Sequence, residues 1–355
     1  RVHVSADERY ELYLDGKRIG RGPERGDRHH WFFETYDLSL TAGEHVLVAR
    51  VWVLGDLAPI AQMTQPPQGF ILCPQEPDWD DALATGVASW EVKDLDGFLP
   101  FSPLGGWFTG AMLKVDGNLV PWGFERGEGD GWQPAQALVH ANSMHRGDRL
   151  PEHVLQPATL PAMMERAWQG AKVRFVANLQ AESTANIPIR LAEHLAEEAD
   201  GWQALLDGKS SLTIPPHTAR RVIVDMGNYV CAYPEVVLSG GKGASVRIHW
   251  QEALYEDPRR SVKGNRDEIE GKTFCMVWHL KDGFGDTFLT DGGAGRRFDS
   301  HWWRAGRYVE IVVRTADEPL TIDSLTFLET RYPLEMESTF TADDQRIEPV
   351  TRIAV

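Results

Sequence analysis

A polar loop in the C-terminal half carries the densest set of side chains that could do chemistry. Within residues 263–272 stand Lys263, Asn265, Arg266, Asp267, Glu268, Glu270 and Lys272. Interleaved cations, carboxylates and amides can form paired hydrogen bonds and salt bridges across a polar interface. We therefore expect the loop to contact another domain or the rim of a pocket, with Lys263, Asn265, Arg266, Asp267, Glu270 and Lys272 as the candidate residues. The alternative is that the loop only braces its own domain.

Asp267 and Glu270 also form a carboxylate pair of the kind that hydrolyses glycosidic bonds, in which one group protonates the leaving oxygen and the other activates water. The pair has little specificity, because it is one choice among 52 acidic residues. The sequence has no Gly-x-Ser-x-Gly elbow, no His-Glu-x-x-His helix and no Cys/His set with zinc spacing. We therefore expect no catalytic site, metal site or cofactor in this chain.

A second cluster lies near the N-terminus, where Asp27, His29, His30 and Trp31 follow a basic, glycine-rich stretch. Flat aromatic faces pack against the apolar face of a sugar ring, and carboxylate or imidazole groups can bind its hydroxyls. These four residues are therefore candidate sugar contacts. Aromatic residues also fill the cores of β-sandwiches, and the sequence does not separate the two uses.

The elements that position both clusters are predicted to be strands. Residues 234–238 and 244–250 flank a glycine-rich turn, which predicts a hairpin. The turn is not a phosphate-binding loop, since it lacks the Gly-Lys-Ser/Thr ending and opens into a second strand pattern. Asp15-Gly16 predicts a tight hairpin turn between alternating runs.

Two segments have helical features. Residues 190–207 place Leu191, Leu195, Trp202 and Leu206 at helical spacing. Near the C-terminus, Thr341 is the predicted N-cap of a helix, with Asp343 and Asp344 in its first turn. The remaining pattern is of short strands and turns, so the predicted class is all-β with a few short helices.

Composition excludes several functions. The chain has 355 residues and a formal net charge of -16, which argues against nucleic acid or an anionic membrane surface as a partner. No apolar run approaches the ~20 residues needed to span a bilayer. Cys73, Cys231 and Cys275 do not form a disulfide framework, and we expect three buried thiols. The chain begins with Arg1, so processing or truncation stays open, and no compartment can be assigned.

Several phrases resemble one family of enzymes. The segments EALY at 252–255, KGNRDEIEGK at 263–272, WWRAGRYVEI at 302–311 and ADEPLTI at 316–322 resemble the β-sandwich domain of bacterial α-L-rhamnosidases of glycoside hydrolase family 78. The segment at 4–27, VSADERYELYLDGKRIGRGPERGD, is similar to the jelly-roll module that precedes that domain. The segment at 331–354 is similar to the lead into the first helix of the family's (α/α)6 catalytic barrel.

The resemblance implies a jelly-roll module at 1–145, a β-sandwich at 146–338 and the start of the barrel at 339–355. It also implies an inverting mechanism whose two carboxylates lie in the barrel, beyond this sequence. The expected partners are that barrel and a rhamnose-containing glycan or glycoside. The competing interpretations are a stand-alone carbohydrate-binding protein and a structural pair of domains without a ligand.

Overall fold

The computed structural model describes residues 1–27, 30–59, 68–102, 111–141, 154–184, 187–274, 284–335 and 337–354. The strands are β1 Val2–Asp7, β2 Arg9–Leu14, β3 Lys17–Gly22, β4 Trp31–Tyr36, β5 Leu47–Trp52, β6 Gly69–Pro74, β7 Glu91–Val92, β8 Phe98–Phe101, β9 Met112–Asp116, β10 Gln133–Pro134, β11 Leu155–Pro157, β12 Met164–Ala167, β13 Lys172–Asn178, β14 Leu212–Ile214, β15 Ala219–Gly240, β16 Ser245–Gln251, β17 Asp286–Leu289, β18 Arg296–Asp299, β19 Arg304–Arg314 and β20 Leu320–Arg331. The α-helices are α1 Asp80–Leu83, α2 Ala196–Leu206 and α3 Ile347–Ala354. Single 3-10 turns lie at Gly55–Leu57, Pro77–Trp79, Phe124–Arg126 and Leu191–Glu193. The predicted all-β class with a few short helices is confirmed.

Two small sheets form what we call the N-terminal sandwich. One has the strand order β11-β4-β1-β6 and the other the order β3-β2-β5. Val4 from β1 and Tyr10 and Leu12 from β2 are fully buried in a shared core. The predicted Asp15-Gly16 hairpin is present: both residues have positive φ, and β2 pairs with β3 from Tyr10 opposite Gly22 to Leu14 opposite Lys17.

The second part of the fold is one large, folded-over sheet with the order β12-β20-β15-β19-β16-β17-β9-β8. Strands β13 and β18 also pair with β15, and β14 pairs with β20. Buried side chains of β16 and β19 pack in one core with those of β15 and β20, and the rings of Trp250 and Phe327 meet edge to face at 5.2 Å. Helix α2 covers one side of this core with Trp202 and Leu205, each 1% exposed.

The predicted hairpin at 234–250 is wrong. β15 and β16 are not neighbours, because β19 pairs with both of them and β16 takes β17 on its other side. The glycine turn is present, with Gly240, Gly241 and Gly243 at positive φ, but the strands on its two sides do not pair with each other. A 22-residue strand is long enough to bend between layers, so its C-terminal part pairs with β18 and β20 instead.

Smaller expectations also change. Helix α2 begins at Ala196, and Leu191 lies in the preceding 3-10 turn with 47% of its surface exposed. Thr341 is not an N-cap: the last helix begins at Ile347, and Asp344 accepts the backbone N–H of Arg346 at 3.0 Å.

The cysteines are less buried than predicted. Cys73 is exposed, because the preceding residue of β6, Leu72, points into the core and side chains alternate along a strand. Cys231 is half-buried, and Cys275 lies outside the described residues.

Hydrogen bonding crosses residue 145, where the sequence predicts a domain boundary. Strand β9 pairs in parallel with β17 of the large sheet, at Lys114 opposite Thr287. Strand β11, from beyond the boundary, pairs in parallel with β4 of the N-terminal sandwich. The division of the chain stays a prediction, and these ladders tie the two parts together.

Candidate functional site

A buried ion network lies where the N-terminal sandwich meets the large sheet. We call it the joint network; its members in the described part of the chain are Glu11, Arg18, Arg21, Arg50, Glu165, Glu235, Arg297 and Asp299. Four carboxylates therefore face four guanidinium groups, and their formal charges balance. Such balance is what allows charges to be withdrawn from water.

Glu11 stands at the centre of the joint network. It lies on β2, whose other face supplies Tyr10 and Leu12 to the sandwich core, and it is 0% exposed. Its Oε2 accepts hydrogen bonds from Arg50 Nη2 at 2.5 Å and from the Tyr13 hydroxyl at 2.6 Å. Arg50 also donates to Oδ1 of Asp299, on β18 of the large sheet, at 2.9 Å. One guanidinium thus bridges carboxylates from the two parts of the fold.

Two arginines of β3 extend the joint network. Arg18 pairs with Glu165 at 2.8 Å and Glu235 at 3.2 Å, both in the large sheet. Arg21 pairs with Glu11 at 2.8 Å and Glu165 at 2.9 Å. Arg21 also lies over the ring of Tyr233, 3.7 Å from its centroid. The β2–β3 hairpin therefore contacts the large sheet through alternating charges.

The electrostatics keep the central carboxylates ionised. Burial alone would raise the pKa of Glu11, but the guanidinium groups of Arg50, Arg21 and Arg18 outweigh it and hold that pKa well below its usual range. Burial likewise opposes ionisation of Asp299, and Arg50 and Arg297 lower its pKa. Carboxylates held this way stay charged and cannot act as general acids near neutral pH.

Aromatic rings flank the joint network. Arg9 lies over the ring of Trp302 at 4.3 Å and donates to the Pro23 carbonyl at 2.7 Å. Burial, with help from Arg25, lowers the pKa of Arg9 to about 10. His301 is stacked between Trp52 and Phe98, with centroid distances of 4.9 and 5.4 Å. Burial and the charge of Arg50 lower the pKa of His301 to about 3, so this ring is neutral and serves as packing.

The predicted contact loop at 263–272 folds around Lys272. The Lys272 side chain is 2% exposed, donates from Nζ to the Lys263 carbonyl at 2.8 Å and also bonds the Asn265 carbonyl. Glu256 lies 3.7 Å from the same ammonium group, and Lys263 pairs with Glu252. Lys272 and Lys263 are thus inward-facing braces of this loop.

The rest of the contact loop is tied to strand β19 and to the segment before α2. Asp267 Oδ1 accepts from Arg307 at 2.7 Å, and the Arg266 carbonyl accepts from the Tyr308 hydroxyl at 2.6 Å. Glu270 accepts the Leu191 backbone N–H at 2.6 Å. Asn265, Arg266, Asp267 and Glu270 are all exposed, and no described residue hydrogen-bonds or pairs with the Arg266 guanidinium. These bonds hold the loop against the domain, while its outer edge is polar and exposed.

A substitution at Lys272 tests this brace. Lys272→Met removes a buried donor that holds two loop carbonyls, a loss that typically costs ~1–3 kcal/mol. We expect trypsin to cleave after Lys263 or Arg266 roughly tenfold faster than in the parent chain, as local opening becomes easier. Mass analysis of the fragments measures this. Lys242→Met, at an exposed lysine in another glycine turn, is the control and should leave the cleavage rate after Lys263 and Arg266 unchanged. Equal rates at these two bonds in all three proteins would contradict the bracing role.

The other predicted cluster is only partly brought together. His30 Nδ1 lies 2.8 Å from Asp27 Oδ1, and both side chains are more than half exposed. Trp31 begins β4 and is 7% exposed, lining a small surface recess together with Arg9, Pro23 and Phe32. Its ring is therefore packed against neighbouring residues and offers little surface to a ligand. His29 lies outside the described residues. A sugar-contacting role for this cluster stays a prediction.

No group of three or more His, Cys, Asp or Glu side chains in the described ranges is placed to hold a metal ion. No helix in those ranges is long and apolar enough to cross a membrane.

The joint network was missed by sequence reasoning. Glu11 and Arg50 alternate with apolar residues along their strands, which by itself indicates a solvent-facing side. The signal that was present is the number of arginines and glutamates on one face of β2, β3 and β5. The spacing of these charged residues does not show that another part of the protein packs on that face.

Comparisons with known proteins find solved structures with a similar fold. No protein-family model matches the sequence, and no curated protein matches it. Among solved structures, the chain is similar to a family GH78 rhamnosidase of Bacillus sp. GL1, with a TM-score of 0.65, 14% identity, and coverage of 97% of this chain and 53% of that one. It is also similar to an α-L-rhamnosidase from Aspergillus terreus, with a TM-score of 0.53, 13% identity, and coverage of 98% and 34%. This chain thus spans about half of the Bacillus structure and shares its fold over that part.

Proposed function

We propose that this chain is the N-terminal, non-catalytic portion of an α-L-rhamnosidase of glycoside hydrolase family 78. The observation that carries the proposal is the likeness of 97% of the chain to part of the Bacillus sp. GL1 rhamnosidase. The sequence phrases that resemble the family lie along the same chain, in the family's order. In this proposal the parent enzyme removes terminal α-L-rhamnose by an inverting reaction, and both carboxylates belong to an (α/α)6 barrel outside this sequence.

The electrostatics of three buried carboxylates argue against a catalytic role for them. A glycosidase acid needs a raised pKa, so that it carries a proton at working pH. The buried Glu11, Asp299 and Glu310 instead have pKa values lowered by arginines. They serve as ion-pair partners within the fold. We infer that the joint network holds the N-terminal sandwich at a fixed angle to the large sheet, which gives a rigid platform for a barrel.

A rhamnoside assay tests the proposal. The protein is purified from its natural source, its intact mass is measured, and hydrolysis of a chromogenic α-L-rhamnoside is followed. A mass well above 39.9 kDa together with rhamnoside hydrolysis is the expected result. A mass of 39.9 kDa without hydrolysis would overturn the proposal. The alternative, a stand-alone carbohydrate-binding or structural protein, would then be the better account.

The outer edge of the contact loop gives a second test. We propose that Asn265, Arg266, Asp267 and Glu270 dock on the barrel or border its substrate pocket. Since the Arg266 guanidinium pairs with no described residue of this chain, Arg266→Ala should leave the isolated chain unchanged. In the full-length enzyme it should lower the melting temperature by a few degrees or the turnover severalfold, as loss of an interface charge pair costs about 1–2 kcal/mol. Unchanged stability and unchanged turnover in the full-length enzyme would count against docking.

A further inference from the structure

A cavity of about 290 Å³ lies beside strand β20. Its walls come from the segments 167–171, 205–211 and 323–327. This volume is at the lower end of the range of about 300–1,000 Å³ that is usual for small-molecule sites. The walls all lie in described parts of the chain, so the cavity is defined by known neighbours.

The cavity exists because one edge of β20 is left open. Strand β12 pairs with β20 up to Ala167, which lies opposite Leu328. Strand β14 pairs with the same edge again from Leu212, which lies opposite Ile322. Residues 323–327 lie between, an opening of about 16 Å at ~3.3 Å per residue. The Phe327 carbonyl accepts from the Trp168 N–H at 2.8 Å on this edge. The backbone groups of Leu325, two residues away, point to the same edge by the alternation of a strand.

The shape of the opening favours a compact ligand. Trp168 and Gln169 leave β12 at one end, and Ser210 and Ser211 enter β14 at the other. The last turn of α2, with Leu205 and Leu206, lies over it. An added peptide strand would have to continue past both ends, where the chain itself is in the way. One or two sugar rings fit the length without leaving the cavity.

The chemistry of the walls is amphipathic. Apolar surface comes from Trp168, Leu206 and Phe327, and the Trp168 indole is held by its N–H donating to the Met226 carbonyl at 3.0 Å. Hydroxyl groups come from Ser210 and Ser211, and no described residue hydrogen-bonds either of these side chains. An apolar plane next to free hydroxyls and a backbone edge matches a ring with one apolar face and several hydroxyls.

The charges in the walls disfavour an anion. Asp207 is paired with Lys209 at 2.8 Å, and Asp323 accepts from the Ser239 hydroxyl at 2.5 Å. The lining contains no arginine and no unpaired lysine. A phosphate or carboxylate ligand would therefore meet no free cation, whereas a neutral ligand is not penalised.

We infer that this cavity is a binding site for one terminal residue of a neutral pyranose sugar. Trp168 supplies the plane on which the ring packs, and the hydroxyls of Ser210 and Ser211 bind the ring hydroxyls. This site lies wholly within the described chain and does not depend on the proposed parent enzyme. It would give the chain a glycan contact that is separate from any catalytic site.

Saturation-transfer NMR on the 355-residue chain tests the inference with L-rhamnose, D-glucose, D-galactose and their methyl glycosides. We expect saturable binding of at least one of them. Ser211→Trp and Gln169→Trp narrow the cavity from opposite ends, and each should raise the dissociation constant by roughly tenfold or more. Ser39→Trp, at an exposed serine of the N-terminal sandwich, is the matched control and should bind as the parent does. Circular dichroism confirms that each variant is folded.

Three results would overturn the inference. They are the absence of saturation transfer to every sugar, binding that both cavity variants leave intact, and binding of an unrelated short peptide that the cavity variants abolish. None of them bears on rhamnoside hydrolysis by the full-length protein. Failure of this site and failure of the proposed function are therefore distinguishable.

Discussion

Replacement of Arg50 by methionine is expected to lower the free energy of unfolding by about 3–5 kcal/mol. The Arg50 side chain is 5% exposed and bonds Glu11 and Asp299, which are 0% and 6% exposed. Methionine fills much of the same volume but leaves both carboxylates without their shared cation. Glu11 keeps its pair with Arg21, and Asp299 keeps its pair with Arg297, but the buried network then carries one excess negative charge, which is a larger penalty than one lost contact. Urea denaturation at neutral pH, followed by tryptophan fluorescence, measures the effect.

Arg126→Met is the matched control for Arg50→Met. Arg126 also pairs with a glutamate, Glu128, at 2.6 Å, but both side chains are more than half exposed. Exposed pairs contribute ~0–1 kcal/mol, so this variant should unfold almost as the parent does. Equal losses in the two variants would mean that burial of the joint network is not what makes Arg50 important. A small loss in both would mean that the two parts of the fold are held mainly by apolar packing.

Glu310→Gln is the second substitution with a large expected effect. Glu310 lies on β19, is 0% exposed, and accepts from Arg221 Nε at 2.7 Å and from Arg247 Nη2 at 2.6 Å. Thr184 donates to the same carboxylate at 2.7 Å. Glutamine keeps the shape but removes the one negative charge that the two guanidinium groups share. We expect a loss of about 3–5 kcal/mol in the free energy of unfolding at neutral pH.

The same variant should also change how stability depends on pH. Burial raises the pKa of Glu310, but Arg221 and Arg247 outweigh it and lower that pKa to about 2. An unfolded glutamate titrates near 4.3, so the unfolded chain binds this proton first as the pH falls. The stabilisation by Glu310 is therefore complete above about pH 5 and is lost as the pH falls towards 2. Glu310→Gln should show a shallower loss of stability over this window than the parent.

Glu198→Gln is the control for Glu310→Gln. Glu198 forms a two-pronged pair with Arg220 at 2.7 Å, but 39% of its side chain is exposed. The free energy of unfolding should fall by at most about 1 kcal/mol. Its decrease at acid pH should match that of the parent. If Glu310→Gln and the parent lose stability equally as the pH falls from 5 to 2, other carboxylates dominate acid unfolding.

Local patterns in the sequence predicted local structure well. Alternation of apolar residues predicted strands where β1, β2 and β16 lie, and the Asp15-Gly16 pair predicted the β2–β3 turn. Helical spacing near Trp202 predicted α2, although the helix begins at Ala196. These predictions succeed because side-chain periodicity and glycine φ preferences act over a few residues. The all-β class follows from the same signals.

The order of strands was beyond such signals. The turn at 239–243 has the composition of a hairpin, yet its two strands do not pair with each other, and β19 lies next to both. A turn sets the direction of the chain over a few residues, whereas the neighbour of a strand depends on which buried surfaces fit together. The contact loop shows the same limit. Its charge density was evident, but the burial of Lys272 beneath it required the three-dimensional arrangement.

The sequence by itself determined the class of fold, the local turns and the stretches rich in polar groups, since each depends on short-range periodicity and residue type. Only the tertiary structure decided which charges are buried. Glu11 and Arg50 have the spacing of a solvent-facing strand surface, and they are buried because the large sheet covers that surface with Glu235, Arg297 and Asp299. Burial depends on the partner layer, and the partner of β2 lies more than two hundred residues further along the chain.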